Sequence, residues 1–208
     1  MNKPGLYLPK EHHSAFDWDM ATALWALDPL LYVSPPSCIR YWETIGMNSI
    51  QLCKHAGTIK LPEGRIITQN QASHTSNYLY LTFRNTAPPG SVDLDNCYYL
   101  SLRFNLTTMR LYERVAGVNS RYWDNPRPAL QKDTWYKMRL SWWLEWGILQ
   151  VRLERWDTDH WLQDGIDITV ADPLYGEEDN QRCGIGSDCY SPSYPHFFDD
   201  TEIWEYVE

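Results

Sequence analysis

Two neighbouring stretches of chain decide the fold: WYKMRLSWW at residues 135–143 and ILQVRLER at residues 148–155. Apolar and polar side chains alternate along both, so that Met138, Leu140 and Trp142 fall on one face of the first. A period of two is typical of a β-strand with one buried face. Because only a short turn around residues 145–147 separates the two stretches, they predict a β-hairpin.

The same alternation recurs along much of the chain. Residues 98–115 predict a second hairpin that turns near residues 105–108, whereas residues 19–27 have a helical pattern that Asp28-Pro29 ends. Further strands are predicted at 49–54, 57–61, 65–69, 77–84, 166–171 and 201–207. About ten to twelve strands with little helix predict an all-β fold of two antiparallel sheets packed as a sandwich.

Length and composition limit the class of protein. The 208 residues suffice for one large or two small domains, and eleven Trp with fourteen Tyr suit a β-sandwich. We expect the sandwich to span residues 46–208. The Pro-rich residues 1–45 form either an N-terminal arm or its first strands. A net charge of −9 predicts that nucleic acid is not a partner. The lack of a long apolar run predicts that a membrane is not a partner either.

Motifs in the C-terminal half resemble a known superfamily. After the hairpin come Cys183-Gly-Ile-Gly-Ser and Phe198-Asp199-Asp200-Thr-Glu-Ile-Trp204. This order, over residues 98–208, resembles the concanavalin A-like lectin/glucanase superfamily, especially its laminin-G-like and glucanase-related branches. The resemblance implies a jelly-roll topology for the sandwich.

The glucanases of that superfamily carry a Glu-x-Asp-x-x-Glu strand, and retaining hydrolysis needs two carboxyl groups about 5–5.5 Å apart. The sequence lacks this motif. Its nearest pair, Glu154 and Asp157, lies three positions apart, so the two side chains face opposite sides of a strand. We therefore expect no enzyme, with a divergent glycoside hydrolase or lyase as an alternative.

Many members of the superfamily hold a structural calcium ion between the N-terminal segment and an Asp pair before the last strand. The resemblance implies such a site at Asp199 and Asp200, with Asp17 or Asp19 supplying further oxygens. The alternative is that the Asp pair caps a turn. No other cofactor is predicted.

The outward positions of the strands are rich in tyrosine and arginine. If these strands share a sheet, their aromatic rings and guanidinium groups form a surface that suits a sugar. Ordinary cross-strand pairing is the alternative. The candidate ligand-binding residues are Tyr80, Arg84, Tyr99, Arg103, Arg110, Tyr112, Arg139, Gln150 and Arg152, together with Trp143 and Trp161.

The five cysteines are an odd number without metal-site spacing, which predicts reduced, buried thiols. Cys183 and Cys189 flank a short predicted loop, and an oxidising medium could join them.

The first residues lack the apolar segment of a secretory signal, which predicts synthesis in the cytoplasm. A lectin-like sandwich without a signal suggests a virion surface protein, either capsid decoration or tail-associated. Such a protein docks on itself or on other virion subunits and adheres to glycans. The alternative is a soluble, cytoplasmic, lectin-like module that binds glycans.

Overall fold

The structure is a computed structural model that describes residues 4–8, 18–20, 25–28, 38–41, 50–53, 63–86, 94–126, 129–145, 148–157, 160–162, 167–171, 182–191 and 193–206. These residues form sixteen β-strands: β1 (Pro4–Leu8), β2 (Trp18–Met20), β3 (Trp25–Asp28), β4 (Cys38–Tyr41), β5 (Ile50–Cys53), β6 (Glu63–Ala72), β7 (Tyr78–Asn85), β8 (Cys97–Arg103), β9 (Thr108–Val115), β10 (Val118–Pro126), β11 (Tyr136–Glu145), β12 (Ile148–Asp157), β13 (His160–Leu162), β14 (Asp167–Ala171), β15 (Arg182–Asp188) and β16 (His196–Tyr206).

The strands form two antiparallel sheets. A nine-stranded sheet has the order β13-β12-β11-β6-β16-β4-β3, with β1 paired to β16 and β14 to β12; a seven-stranded sheet has the order β10-β9-β8-β7-β15-β5-β2. The predicted all-β, two-sheet sandwich is therefore confirmed. Within the described ranges no helix has the length and apolar character needed to cross a membrane.

Both predicted hairpins are confirmed. Strand β11 pairs with β12, so that Leu140 lies opposite Leu153, and β8 pairs with β9, so that Leu100 lies opposite Leu111. The predicted strand at 57–61 lies outside the described residues. The prediction of a helix over residues 19–27 is wrong at both ends of that range. Strand β2 occupies one end and pairs with β5, and strand β3 occupies the other end and pairs with β4. These sheet contacts outweigh the local helical pattern.

Strands from residues 1–45 take part in both sheets. Strand β1 pairs with β16 and β4 pairs with another part of β16, whereas β2 lies at the edge of the seven-stranded sheet. The described parts of the N-terminal segment thus contribute strands to the sandwich.

The main core fills the space between the sheets, where the apolar faces predicted from the alternation meet. Trp142 from β11 stacks on Phe83 from β7 at a ring-centroid distance of 5.0 Å, and Phe83 stacks on Tyr98 from β8 at 5.5 Å. All three side chains are fully buried. Each such ring contributes about 1.5–3 kcal/mol by leaving water, so this contact helps to fix how the sheets are stacked.

Cys97, Cys183 and Cys189 are free, buried thiols. The segment between Cys183 and Cys189 is part of strand β15, not the predicted loop. An extended strand rises about 3.3 Å per residue, so these two sulfurs are too far apart for a disulfide. Burial raises the pKa of Cys189 to about 12, which keeps this thiol protonated and unreactive.

Candidate functional site

A row of tyrosines crosses the outer face of the seven-stranded sheet. Tyr99 stacks on Tyr112 with ring centroids 4.7 Å apart, and Tyr80 meets Tyr99 edge-on at 6.3 Å. Leu94 packs into the same cluster. Tyr80 and Tyr99 are only 6% and 2% exposed. These two rings, predicted to face a ligand, are instead packed inside the protein.

The hydroxyl groups of this cluster are also structural. Burial raises the pKa of Tyr99 to about 12, and the neighbouring Tyr112 adds to the shift. The Tyr99 hydroxyl donates a hydrogen bond of 3.1 Å to Asn119 Oδ1. Burial also raises the pKa of Tyr80. Both phenols are neutral under ordinary conditions, and the Tyr99 hydroxyl links β8 to β10.

Predicted ligand arginines lie at the margin of the tyrosine row. Arg103 places its guanidinium 5.4 Å from the ring centroid of Tyr78. Arg110 donates to the Tyr112 hydroxyl at 3.1 Å and to Asp124 Oδ2 at 3.0 Å. This ion pair lowers the pKa of Asp124. The two arginines therefore contact groups of their own chain.

Arg84 is a second departure from the predicted surface, since it is only 1% exposed. Its φ of 49° lies in the left-handed region, where strand alternation is interrupted. The pairing of β15 with β7 shifts register between Arg182 and Gly184, opposite the end of β7 that holds Arg84. Such an irregularity re-aims a side chain, so Arg84 does not contribute to an open face.

The remaining candidate ligand-binding residues lie on the nine-stranded sheet. The prediction that all candidates share one surface is therefore wrong. Arg139 and Trp143 are on β11, and Gln150 and Arg152 are on β12. Trp161 is in β13, opposite Trp156, and its side chain lies outside the described part of the structure.

A pocket of about 490 Å³ opens on the outer face of this nine-stranded sheet. It is lined by Arg65, Arg139, Ser141, Trp142, Trp143, Arg152 and Glu154.

A third group, which the sequence reasoning missed, lies at one end of the sandwich. His74 is in the β6–β7 loop, and Tyr190 and Tyr194 are in the β15–β16 loop; we name these three residues the loop-end platform. The Tyr190 ring stacks on His74 with centroids 4.4 Å apart and planes 10° apart. Tyr194 lies 6.2 Å from Tyr190 at an interplanar angle of 42°. The two tyrosines are 61% and 41% exposed.

Asn77, a buried side chain, joins the two loops of the loop-end platform. Its Nδ2 donates to the carbonyl oxygens of Tyr194 at 2.9 Å and Pro195 at 3.3 Å. Its Oδ1 accepts from the backbone N–H of Tyr190 at 2.9 Å. The exposed rings are therefore carried by backbone that the fold holds in place.

Local sequence explains the shape of these loops. The Tyr194 N–H donates to the Ser191 carbonyl at 2.9 Å, which closes a turn, and Ser76 N–H donates to His74 Nδ1 at 3.0 Å. The Ser191 Oγ also accepts from the Ser193 N–H at 3.3 Å, and such short side-chain-to-backbone bonds are the reason serine favours turns. The sequence could have indicated exposed rings here, because two tyrosines lie in a Ser- and Pro-rich segment between strands and a turn seldom buries a large ring.

Ser187, His196 and Asn70 lie in an order that resembles a hydrolytic triad. Ser187 Oγ is 2.8 Å from His196 Nδ1, and His196 Nε2 is 3.4 Å from Asn70 Oδ1. All three are fully buried, and Ser187 Oγ donates to the Tyr78 carbonyl at 2.8 Å. Because a nucleophile must be reached by its substrate, this trio is a structural network.

Carboxylates considered for hydrolysis or calcium binding are dispersed. Glu154 accepts a hydrogen bond of 2.6 Å from Arg139 Nε, which ties it to a neighbouring guanidinium. Asp19 lies in β2 of one sheet and Asp199 in β16 of the other, while Asp17 is outside the described residues. Among the described residues no three His, Cys, Asp or Glu side chains group as metal ligands. Calcium binding at Asp199 and Asp200 stays a prediction.

Comparison with solved structures identifies the fold. A carbohydrate-binding module, CBM66, from Bacillus subtilis is similar at 14% identity with a TM-score of 0.55, covering 90% of this chain and 94% of that one. A legume lectin-like domain from Entamoeba histolytica matches at 10% identity with a TM-score of 0.61, covering 93% and 91%. These similarities confirm the concanavalin A-like jelly roll.

An engineered GH43 glycoside hydrolase is also similar, at 7% identity with a TM-score of 0.58. The match covers all of this chain and 41% of the hydrolase, so the chain spans less than half of that protein. No protein-family model matches the sequence. No curated protein matches it either.

Proposed function

We propose that this protein is a non-enzymatic, lectin-like module that binds a glycan on the loop-end platform. The observation that carries the proposal is the pair of exposed tyrosine rings, Tyr190 and Tyr194, fixed side by side at the end of a β-sandwich. The structural neighbours named as a carbohydrate-binding module and a lectin-like domain support the same class of function.

Aromatic rings suit the apolar faces of sugars. His74 covers one face of the Tyr190 ring, and the ring's high exposure leaves surface for a ligand. The tilted Tyr194 ring bounds the same space. A phenol offers a large apolar face together with a hydroxyl group that can bond to a sugar hydroxyl.

Polar groups border the rings. Asn105 Nδ2 lies 3.4 Å from Ser76 Oγ beside the β6–β7 loop, and Ser193 is exposed in the other loop. Side chains of this kind provide adaptable hydrogen bonds, while tyrosine provides contact area at a low cost in conformational entropy. The combination suits a neutral oligosaccharide bound with micromolar to millimolar affinity.

A non-enzymatic role is supported by the enclosure of Ser187 and His196 and by the pairing of Glu154 with Arg139. The virion-surface role with self-assembly, expected from the sequence, stays a prediction, and glycan adhesion by the loop-end platform is compatible with it.

Replacing Tyr190 with alanine is expected to weaken binding of a neutral oligosaccharide about tenfold, since one lost stacking contact costs about 0.5–1.5 kcal/mol beyond the buried area. Tyr190→Phe keeps the ring and is expected to retain most of the affinity. A panel of neutral oligosaccharides is first screened with the unaltered protein. Isothermal titration calorimetry then compares the variants on the best ligand.

Val118→Ala is the matched control, because Val118 is exposed at the start of β10, away from the loop-end platform. The proposal predicts that Tyr190→Ala and Tyr194→Ala both reduce affinity while Val118→Ala does not. The proposal is contradicted if no oligosaccharide of the panel binds, or if all variants bind with equal affinity.

A further inference from the structure

A row of three side chains crosses the outer face of the nine-stranded sheet. Ser141 on β11 lies opposite Arg65 on β6 and opposite Arg152 on β12. Directly opposite residues of antiparallel strands have Cβ atoms about 4.5–5.5 Å apart. The short serine therefore leaves a depression between two long arginines.

The next positions along the strands complete the pocket. Arg139 lies opposite Glu154 and donates to its carboxylate, so these two charges offset one another. Trp143 lies on the other side of Ser141, on the same face of β11, and it is half-buried. Its indole ring adds an aromatic wall to the depression.

The charge of this pocket is opposite to that of the whole protein. The chain carries a net charge of −9, but the pocket lining has three guanidinium groups and one carboxylate. Charges further apart than about 8 Å are largely screened at physiological ionic strength. Asp167 on β14 lies opposite Arg152, on the side away from Ser141, but the lining of the pocket itself carries more positive than negative charge and so attracts a small anionic group.

All three arginines also contact other groups of the chain. A guanidinium has five N–H donors in a planar fork, so it can hold a neighbour in place and still bind an anion. Contacts within the chain would orient the forks before a ligand arrives, which lowers the entropic cost of binding.

We infer that this arginine pocket is a second ligand site that binds a sugar bearing an anionic group, either a carboxylate or a sulfate ester. The anion lies over Ser141 between Arg65 and Arg152, and the sugar ring lies against Trp143. The juxtaposition of paired guanidinium groups with an aromatic wall distinguishes this ligand from a free inorganic anion, which needs no ring surface. The inference does not depend on the loop-end platform, which lies on different elements.

The experiment measures binding of three probes by isothermal titration calorimetry: trigalacturonic acid, its neutral methyl ester and a sulfated galactose disaccharide. We expect at least one acidic probe to bind and the methyl ester to bind about tenfold or more weakly, since the ester loses the charge-assisted hydrogen bonds to the guanidinium groups. The probe that binds identifies carboxylate or sulfate as the preferred anion.

Two variants locate the site. Arg152→Ala removes an exposed guanidinium, and Ser141→Glu puts a carboxylate between Arg65 and Arg152, so each is expected to lower affinity for the acidic probe at least about tenfold. Arg114→Ala on the other sheet is the matched control and is expected to bind normally. Circular dichroism of each variant checks that the fold is retained.

The inference is overturned if neither acidic probe binds, if the methyl ester binds as well as the acid, or if Arg152→Ala and Ser141→Glu bind like Arg114→Ala. Tyr190→Ala serves to separate the two proposals. It is expected to leave acidic-probe binding intact, and loss of that binding in Tyr190→Ala but not in Ser141→Glu would assign the acidic sugar to the loop-end platform instead.

Discussion

Acidification is expected to lower the free energy of unfolding by about 1.4 kcal/mol per pH unit through the single residue His196. His196 is fully buried, stacked on Phe198 at 4.7 Å and edge-on to Phe104 at 5.4 Å. Burial lowers its pKa from 6.5 to about 3. Between these values the unfolded chain binds one proton more than the folded protein. The stabilisation is therefore complete above pH 6.5 and is lost progressively towards pH 3.

The measurement is urea unfolding of the unaltered protein and of His196→Phe between pH 4 and pH 8. The phenyl ring keeps an aromatic group in the site and removes the titration. The difference in unfolding free energy between the two proteins is expected to be constant above pH 6.5 and to change by about 1.4 kcal/mol per pH unit below it. Carboxylates titrate in both proteins, so they largely cancel from this difference.

Parallel stability curves down to pH 4 would show that the folded protein protonates His196 normally. Proton NMR of the unaltered protein provides a test that needs no variant. Of the six histidines, His196 is expected to keep a neutral ring down to about pH 4, and an ordinary midpoint near pH 6.5 for its resonance would contradict the prediction.

Strands such as β7 and β11 could be predicted from the sequence because one face of each lies in the main core. Leu79 and Leu81 on β7, like Leu140 and Trp142 on β11, recur at the period that the buried face requires. The alternation identifies which residues point away from the core. It does not reveal whether the opposite face is open, and the outer face around Tyr80 and Tyr99 has a buried cluster of its own.

Sheet partners could not be predicted in the same way. Strand β6 pairs with both β11 and β16, and this arrangement places Arg65 beside Ser141 and Arg152. Residues far apart in sequence meet there through backbone registers, about which a single strand has no information. Of the residues that line the arginine pocket, Arg139, Arg152 and Trp143 were among the candidate ligand-binding residues named from the sequence, whereas Arg65 was added only by the fold.

The loop-end platform was missed for a related reason. The bonds that hold Tyr190 and Tyr194 in place connect them to Asn77, more than a hundred positions earlier in the chain. In the sequence Asn77 is an ordinary polar residue at the start of a strand. Its importance follows only from the sheet that brings β7 next to β15.

Replacing Asn77 with alanine is expected to lower the free energy of unfolding by about 2–4 kcal/mol, because it removes three hydrogen bonds between a buried side chain and the backbone of the β15–β16 loop. The Tyr190 N–H and the carbonyls of Tyr194 and Pro195 all lose hydrogen bonds from this side chain. Asn105→Ala is the matched control, since Asn105 is an exposed asparagine at the same end of the sandwich. Its effect is expected to stay within about 0.5 kcal/mol. Urea unfolding measures both changes.

The same substitution links stability to function. Asn77 is buried beneath the loop-end platform, so Asn77→Ala should weaken sugar binding by letting Tyr190 and Tyr194 move, which adds an ordering cost to each binding event. Hydrogen exchange at the Tyr190 amide is expected to accelerate in Asn77→Ala and to stay slow in Asn105→Ala. If the Tyr190 amide stays protected and the affinity is unchanged, the loops are held by other contacts. If both change together, a buried asparagine sets the geometry of an exposed binding surface.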